Sequence, residues 1–288
     1  MSAKFFCLFN SVSTESHNVE DRLKLLDKGC QKLGIEFVVL DQAKSDFSRL
    51  PVPTENDGLY NCARGSYLLE YALLNPRVKT FYRSYNPNSI KDDNGMLQAA
   101  LTIQNISTPK TIFCGTSDRK LLKDYANYLG GFPLILKTYG KSGGLGVMSV
   151  DSLSSLYSLA DYLVAEDVAF QLKEWIEADS VERVTVLGNR VLYTISRAVG
   201  LEDFRTDYFK NHNELISLDK ESEQLAIQAA HACNYNFAGV DLIRRKSDGK
   251  TFILEVNFPQ NFAPHEIDFK TNCAEEMLRW LFLQTKVQ

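Results

Sequence analysis

The segment 237–257, FAGVDLIRRKSDGKTFILEVN, constrains this chain more than any other. Two apolar runs, 238–243 and 251–256, flank Lys246-Ser247-Asp248-Gly249-Lys250, whose Asp-Gly step marks a tight turn. The pattern predicts an antiparallel β-hairpin. Asp241 lies inside the first run, and Glu255 and Asn257 close the second. Period-2 alternation puts Glu255 and Asn257 on one face of their strand. A carboxylate on an apolar strand is costly to bury without a partner. A hard divalent cation is one such partner, because Mg²⁺ takes oxygen ligands from one or two carboxylates together with substrate phosphates. An ordinary amphipathic hairpin with its polar residues in water fits the same pattern.

The rest of the chain reads as alternating elements. Strands are expected at 4–9, 36–40, 59–62 and 78–82, with helices at 19–33 and 66–74 between them, a layout that suggests a parallel sheet with crossovers. A helix at 95–104, a strand at 111–113 and a helix at 119–129 follow. Strands are then expected at 134–138 and 147–150, a helix at 153–165, and strands at 168–175, 183–187 and 191–196. Gly188-Asn189 forms a hairpin turn between the last two. Helices at 221–233 and 272–282 bracket the opening hairpin.

A second feature joins Lys137, at the end of the apolar run 133–136, to the loop Gly140-Lys141-Ser142-Gly143-Gly144-Leu145-Gly146. Strand, glycine-rich turn, strand is the layout of a phosphate flap, in which glycines let backbone N–H groups approach phosphate oxygens. It lacks the Gly-Lys-Ser/Thr spacing and following helix of a P-loop, and its glycines do not fit a dinucleotide fingerprint. A flexible hairpin turn is the plainer alternative. A third feature is Lys173-Glu174-Trp175-Ile176-Glu177, where Trp175 and Ile176 could flank an adenine ring while the backbone pairs with its edge; an edge strand packing its aromatics is the alternative. Arg183, Arg197 and Arg205 offer planar recognition of carboxylate or phosphate.

In this order the pieces resemble the ATP-grasp superfamily, and within it the RimK-type glutamate ligases that modify a ribosomal protein, with their peptide-ligase relatives. The resemblance runs from about residue 93 to residue 280, through 130–147, Phe204-Arg205 and the hairpin. It implies an ATP-grasp fold of mixed α/β and α+β class. A Rossmann-like domain at 1–88 would precede a central subdomain with the glycine flap at 89–172 and a C-terminal subdomain with the metal site at 173–288. By resemblance, Lys137, Lys141, Ser142, Gly143, Gly144 and Gly146 contact the phosphates of ATP, and Glu174, Trp175 and Ile176 form the adenine hinge. Asp241, Glu255 and Asn257 hold Mg²⁺, with Mn²⁺ as the alternative, and Arg205 with Arg197 binds the transferred phosphoryl group or the carboxylate. Three positions depart from the family pattern. Asn94 stands where the family has a nucleotide-binding Lys, with Lys91 nearby as a substitute. The ribose-binding acid falls at Val181 or, one residue on, at Glu182. Phe258-Pro259-Gln260-Asn261-Phe262 replaces the family's small Ser-Pro-Gly segment beside the acceptor site.

The resemblance implies an ADP-forming ligase that joins a carboxylate and an amine through an acyl phosphate, on an amino acid, a peptide or a protein tail. Two other readings stand beside it: a ligase that modifies or cyclises a ribosomally made precursor peptide, and a nucleotide-binding regulator without ligase activity. A net charge of −4 argues against general nucleic-acid affinity, and no apolar run is long enough to span a bilayer. Six dispersed cysteines with no CxxC pair suit a reducing cytoplasm and no zinc site. The family carries an expectation of a homo-oligomer.

Overall fold

A computed structural model describes residues 2–13, 19–63, 65–87, 94–139, 144–200, 203–206 and 212–283. The chain begins with β1 (Lys4–Phe9), α1 (Val19–Leu33), β2 (Glu36–Asp41), β3 (Gly58–Asn61) and α2 (Tyr67–Leu73). The three strands form a parallel sheet ordered β2-β1-β3. Alternation along β1 sends Phe6 and Leu8 to a cluster with Leu69 and Leu73 of α2, while Phe5 and Cys7 face the opposite way into the largest core. The strand expected at 78–82 is not one. It makes only isolated bridges, Gly58 to Lys79 and Tyr82 to Tyr235. Asn236 N–H donates to the Phe81 carbonyl and Arg83 N–H to the Asn234 carbonyl, so this apolar stretch is a strap tying the first sheet to a loop near the C-terminus.

A second unit comprises α3 (Asn94–Ile103), β4 (Thr111–Cys114), α4 (Arg119–Tyr128), β5 (Leu134–Thr138), β6 (Val147–Val150), α5 (Leu153–Ala165) and β7 (Phe170–Glu174). Its four strands run antiparallel in the order β4-β7-β5-β6. Leu134, Leu136, Phe170 and Leu172 pack under α4 and α5. The alternate residues, Ile135 and Lys137 on β5 and Gln171 and Lys173 on β7, therefore face the other side of the sheet.

The third unit holds β8 (Ser180–Leu187), β9 (Arg190–Ala198), β10 (Asn213–Ile216), α6 (Lys220–Ala232), β11 (Phe237–Arg244), β12 (Thr251–Asn257), α7 (Ala263–Phe269) and α8 (Cys273–Leu283). Its antiparallel sheet is ordered β10-β9-β8-β11-β12. The expected hairpin is present as β11 and β12, and Gly188 turns β8 into β9 at φ +61°. β10 and the short α7 were not expected. The outer edge of β12 is covered by the segment after α3, with Ile253 N–H donating to the Ser107 carbonyl at 2.8 Å and Ser107 Oγ to the Thr251 carbonyl at 2.9 Å. This seats α3 between the two antiparallel sheets.

The largest core joins the first and third units. Phe81, 1% exposed, sits edge-on to Tyr60 at 5.3 Å between ring centroids, tilted against Phe237 at 5.4 Å and stacked on Trp280 at 5.9 Å. Phe81→Ala removes one ring from all three contacts. It is expected to cost about 3–5 kcal/mol in urea unfolding, and to lower the transitions of the N-terminal and C-terminal sheets together. A variant with an unchanged midpoint would show that the strap does not couple them.

Candidate functional site

Strand register builds the site. On the face of the third sheet that carries Asp241, three rows cross β8, β11 and β12. Val181, Ile243 and Phe252 make an apolar row; Arg183, Asp241 and Glu255 make a charged row; Thr185, Gly239 and Asn257 make a row of small and polar residues. A register shift after Asp241 sets the spacing between the first two rows. Gly239 leaves room for its neighbours: a Cβ there would lie 3.1 Å from both Arg183 Cδ and Gln260 Cδ.

The charged row is compensated side by side. Arg183 holds Asp241 through two nitrogens, with Nη2 donating to Oδ2 at 2.7 Å and Nε donating to Oδ1. Arg197 Nη2 stands 3.5 Å from Asp241 Oδ1. Asn257 Nδ2 donates to Glu255 Oε1 at 3.0 Å and to Asp241 Oδ2 at 3.3 Å, so the three oxygen-bearing side chains of the hairpin do converge. Lys137 reaches over from the second sheet and donates to Glu255 Oε2 at 2.9 Å. That ammonium holds the Glu255 carboxyl well below the usual carboxylate range. Burial pushes the Asp241 carboxyl upward, against the opposite pull of Arg183 and Arg197. His265 is pushed down to about 3 by burial and by the two guanidiniums, and its neutral ring bonds Tyr193 Oη at 3.1 Å.

The donor set of Asp241, Glu255 and Asn257 suits a hard cation: two carboxylates and a carboxamide, all oxygen-bearing, gathered within hydrogen-bond reach of one another. The third donor is an amide, and among the described residues no group of three His, Cys, Asp or Glu forms a metal cluster. Which amide atom of Asn257 faces the carboxylates is an assignment that a bound cation would reverse.

The other expected residues fall in three places. Ile176 packs on the apolar row with Val181, Ile243 and Phe252, beside the carboxylates. Glu174 pairs at 2.9 Å with Arg245, whose guanidinium lies over the Phe252 ring of that row, and accepts from Lys110 N–H at 3.2 Å, while Trp175 packs on Phe204 at 5.3 Å. Glu182 accepts from Ser180 Oγ at 2.5 Å, and burial raises its carboxyl. Gly144 and Gly146 take φ of +77° and +74° where the flap rejoins β6, closed by Thr138 N–H donating to the Gly146 carbonyl at 2.9 Å. Arg205 pairs with Asp203 at 2.8 Å, and its side chain lies 3.5 Å from where a Cβ on Gly144 would be. It is therefore at the flap, whereas Arg197 is at Asp241. Lys141, Ser142, Gly143 and Lys91 lie outside the described residues.

Three participants, Lys173, Gln171 and Gln98, had no assigned role in the sequence. Arg183 was visible as an arginine, but its bidentate grip on Asp241 needs β8 and β11 to be neighbours. Lys173 and Gln171 were readable only as polar residues at alternate positions of an apolar strand. Gln98 of α3, which hydrogen-bonds Lys173, carried no signal.

A profile of the RimK-like ATP-grasp domain matches residues 92–281, more than half of the chain. The chain belongs to the RimK-like ATP-grasp family. It is 31% identical over 229 residues to a probable alpha-L-glutamate ligase of Xylella fastidiosa (strain M12), covering 74% of this chain and 75% of the relative. Similar proteins from Histophilus somni (strain 2336) and Vibrio atlanticus (strain LGP32) are 30% and 29% identical, and the chain spans 62% and 52% of their lengths. The ATP-grasp fold is shared with the ligase PsnB in complex with a precursor variant, Mg and ADP, at a TM-score of 0.73, 15% identity and coverage of 99% of this chain and 100% of that one. It is shared also with a D-alanine–D-alanine ligase of Bacillus anthracis complexed with ATP, at 0.72, 17% identity, 98% and 96%. No helix among the described residues is long and apolar enough to cross a membrane.

The Lys137–Glu255 pair gives a pH signature. A carboxyl depressed in the folded state contributes stability that is complete above its unfolded value, about 4.3, and is lost as pH falls through the folded value. Between about pH 6 and 3, Lys137→Met should therefore show a flatter or inverted fall of melting temperature compared with the parent. Parallel curves would remove Lys137 as the group that depresses Glu255.

Proposed function

We propose that this chain is an ATP-dependent, ADP-forming ligase that joins a carboxylate to an amine by way of an acyl phosphate. The observation that carries the reading is the gathering of Asp241, Glu255, Asn257 and Lys137 on facing surfaces of two sheets, beside the apolar row around Ile176. The relatives named as probable glutamate ligases support an amino acid, peptide or protein tail as the substrate class. The reading divides the chain at residues 1–88, 89–172 and 173–288, with the nucleotide clasped between the last two parts.

Asp241, Glu255 and Asn257 would hold Mg²⁺, which when bound supplies positive charge to the phosphate oxygens. The chain's own residues do the rest by position and charge. The apolar row and Ile176 receive the base and keep water from it. Glycines 144 and 146 shape the flap over the phosphates. Lys137 exchanges its contact with Glu255 for a phosphate oxygen. The substrate carboxylate attacks the γ-phosphorus, the bond to the β-phosphate oxygen breaks, and ADP departs. Arg197, already at Asp241, and Arg205, carried at the flap, offset the charge of the acyl phosphate. The amine nitrogen then attacks the acyl carbon, the bond from that carbon to the bridging oxygen breaks with its electrons going to the departing phosphate, the phosphate takes up the proton that the nitrogen loses, and an amide remains. Exclusion of water protects the acyl phosphate from hydrolysis.

The test is release of ADP and phosphate across a panel of amino acids and acidic peptides, with hydroxylamine added to trap the acyl phosphate as a hydroxamate. Glu255→Gln is expected to lower turnover by about a hundredfold or more, with no hydroxamate. Full ADP release by that variant would count against the site. Phosphate release without any amide or hydroxamate, across the whole panel, would favour a nucleotide-binding regulator.

A further inference from the structure

Beside the charged row lies a buried polar chain to which the reaction described above gives no part. Gln260, from the segment after β12, and Thr185 of β8 are fully buried, and Tyr193 of β9 and His265 of α7 are nearly so. Thr185 and Tyr193 are brought together because they pair directly across β8 and β9. Gln260 Nε2 donates to Thr185 Oγ1 at 2.6 Å and stands 3.5 Å from Tyr193 Oη, which is in turn bonded to His265 Nδ1 at 3.1 Å. The amide nitrogen is thus tethered at two hydroxyls that the sheet and α7 hold in place. The opposite assignment of the amide would leave two buried N–H donors without these acceptors, so the nitrogen belongs on this side.

The other arm of the same amide is the unusual one. Gln260 Oε1 is buried and has no hydrogen-bond partner among the described residues. Native proteins rarely leave a buried acceptor in this state. What stands beside the amide is a cation. The point where a Cβ on Gly239 would lie is 3.1 Å from Gln260 Cδ and 3.1 Å from both Cδ and Nη1 of Arg183. Gly239 pairs with Thr185 and Asp241 with Arg183 in the same two strands, so the glycine is the gap in the sheet surface over which the two side chains converge. Arg183 grips Asp241 with Nε and Nη2, and Nη1 takes no part in that grip.

We propose that Gln260 is a positioning residue for Arg183: tethered by Thr185 and Tyr193, its amide sets its carbonyl oxygen against the guanidinium across Gly239 and holds Arg183 in the orientation that grips Asp241. A carbonyl dipole turned on a cation is favourable where water is largely excluded. A guanidinium is planar, so two contacts along one edge leave it free to rock about that edge, and a third neighbour on the far side stops the motion. Gln260 acts only through Arg183; its own side chain is sealed from the cleft. The consequence for turnover rests on the ligase reading given above, since it concerns how firmly Asp241 is held before the substrates arrive.

Nitrogen-15 NMR of the full chain without nucleotide reads the Arg183 Nε–H directly, identified by its loss in Arg183→Lys. Gln260→Met, of similar length but without the amide, is expected to speed solvent exchange of that proton by roughly tenfold or more. Thr185→Val, which removes the tether, and Gly239→Ala, which wedges the two side chains apart, should do the same. Thr185→Ser keeps the hydroxyl and should retain the parent signal. A glutamine that only fills space would lower the melting temperature when replaced and leave the Arg183 signal in place. If the Met variant does not fold, the Thr185 and Gly239 variants carry the measurement. Turnover is read as hydroxamate formed from ATP, hydroxylamine and the panel acid that gives the highest rate. In Gln260→Met, kcat is expected to fall roughly tenfold, with KM for ATP and the calorimetric stoichiometry of ADP unchanged. An Arg183 signal identical to the parent's in Gln260→Met and Thr185→Val overturns the assignment, and so does an unchanged kcat. A parent protein that releases no ADP with any acid of the panel retires the ligase reading alone, because the arginine signal still decides whether Gln260 positions Arg183.

Discussion

The ion pair between Lys137 and Glu255 joins two sheets whose backbone ladders are separate. One partner comes from β5 and the other from β12, and each sits on the face of its sheet that is turned away from the helices or the main core. A charge on such a face is tolerable only if the opposite face supplies its counterpart. The cleft between the sheets is thus defined electrostatically as well as by shape. The charged row extends the arrangement: Arg183, Asp241 and Glu255 lie side by side across three strands, and Arg197 adds a second guanidinium at Asp241.

The balance is uneven in a useful direction. Among the described residues, four basic side chains, Lys137, Lys173, Arg183 and Arg197, and two carboxylates, Asp241 and Glu255, lie in this part of the cleft. The surplus is positive, and it is held where water is largely excluded. A polyanion entering with a divalent cation would restore the balance, and the apolar row at Val181, Ile243 and Phe252 continues the same surface. Fold and chemistry agree here because one strand register places the apolar row and the charged row next to each other.

The sequence departure from the family's small-residue pattern after Asn257 has a structural counterpart. The segment after Asn257 is bulky, and its Gln260 side chain is fully buried, donating to Thr185 Oγ1 at 2.6 Å beside Arg183. Phe258 stacks on Tyr235 at 4.6 Å and packs against Tyr82 at 5.3 Å, which ties the end of β12 to the strap from the first unit. The residues that follow the β11–β12 hairpin are therefore committed to packing.

Much of this was legible in the chain itself. Alternation with period 2 identifies the hairpin, puts Glu255 and Asn257 on one face, and marks Lys137 as a lone cation ending an apolar run; these are local relations between residues a few positions apart. The strap at 78–82 misled because buried aromatic residues look the same whether their backbone pairs in a ladder or only bridges two units. Short β10 and α7 leave too few residues to show a period. What tertiary structure alone decided is which strands are neighbours, and hence that Arg183 grips Asp241 from 58 residues away and that Lys173 meets Gln98 across 75. Side-chain chemistry and spacing determine what a strand can present; sheet order and the seating of a helix determine what it is presented to.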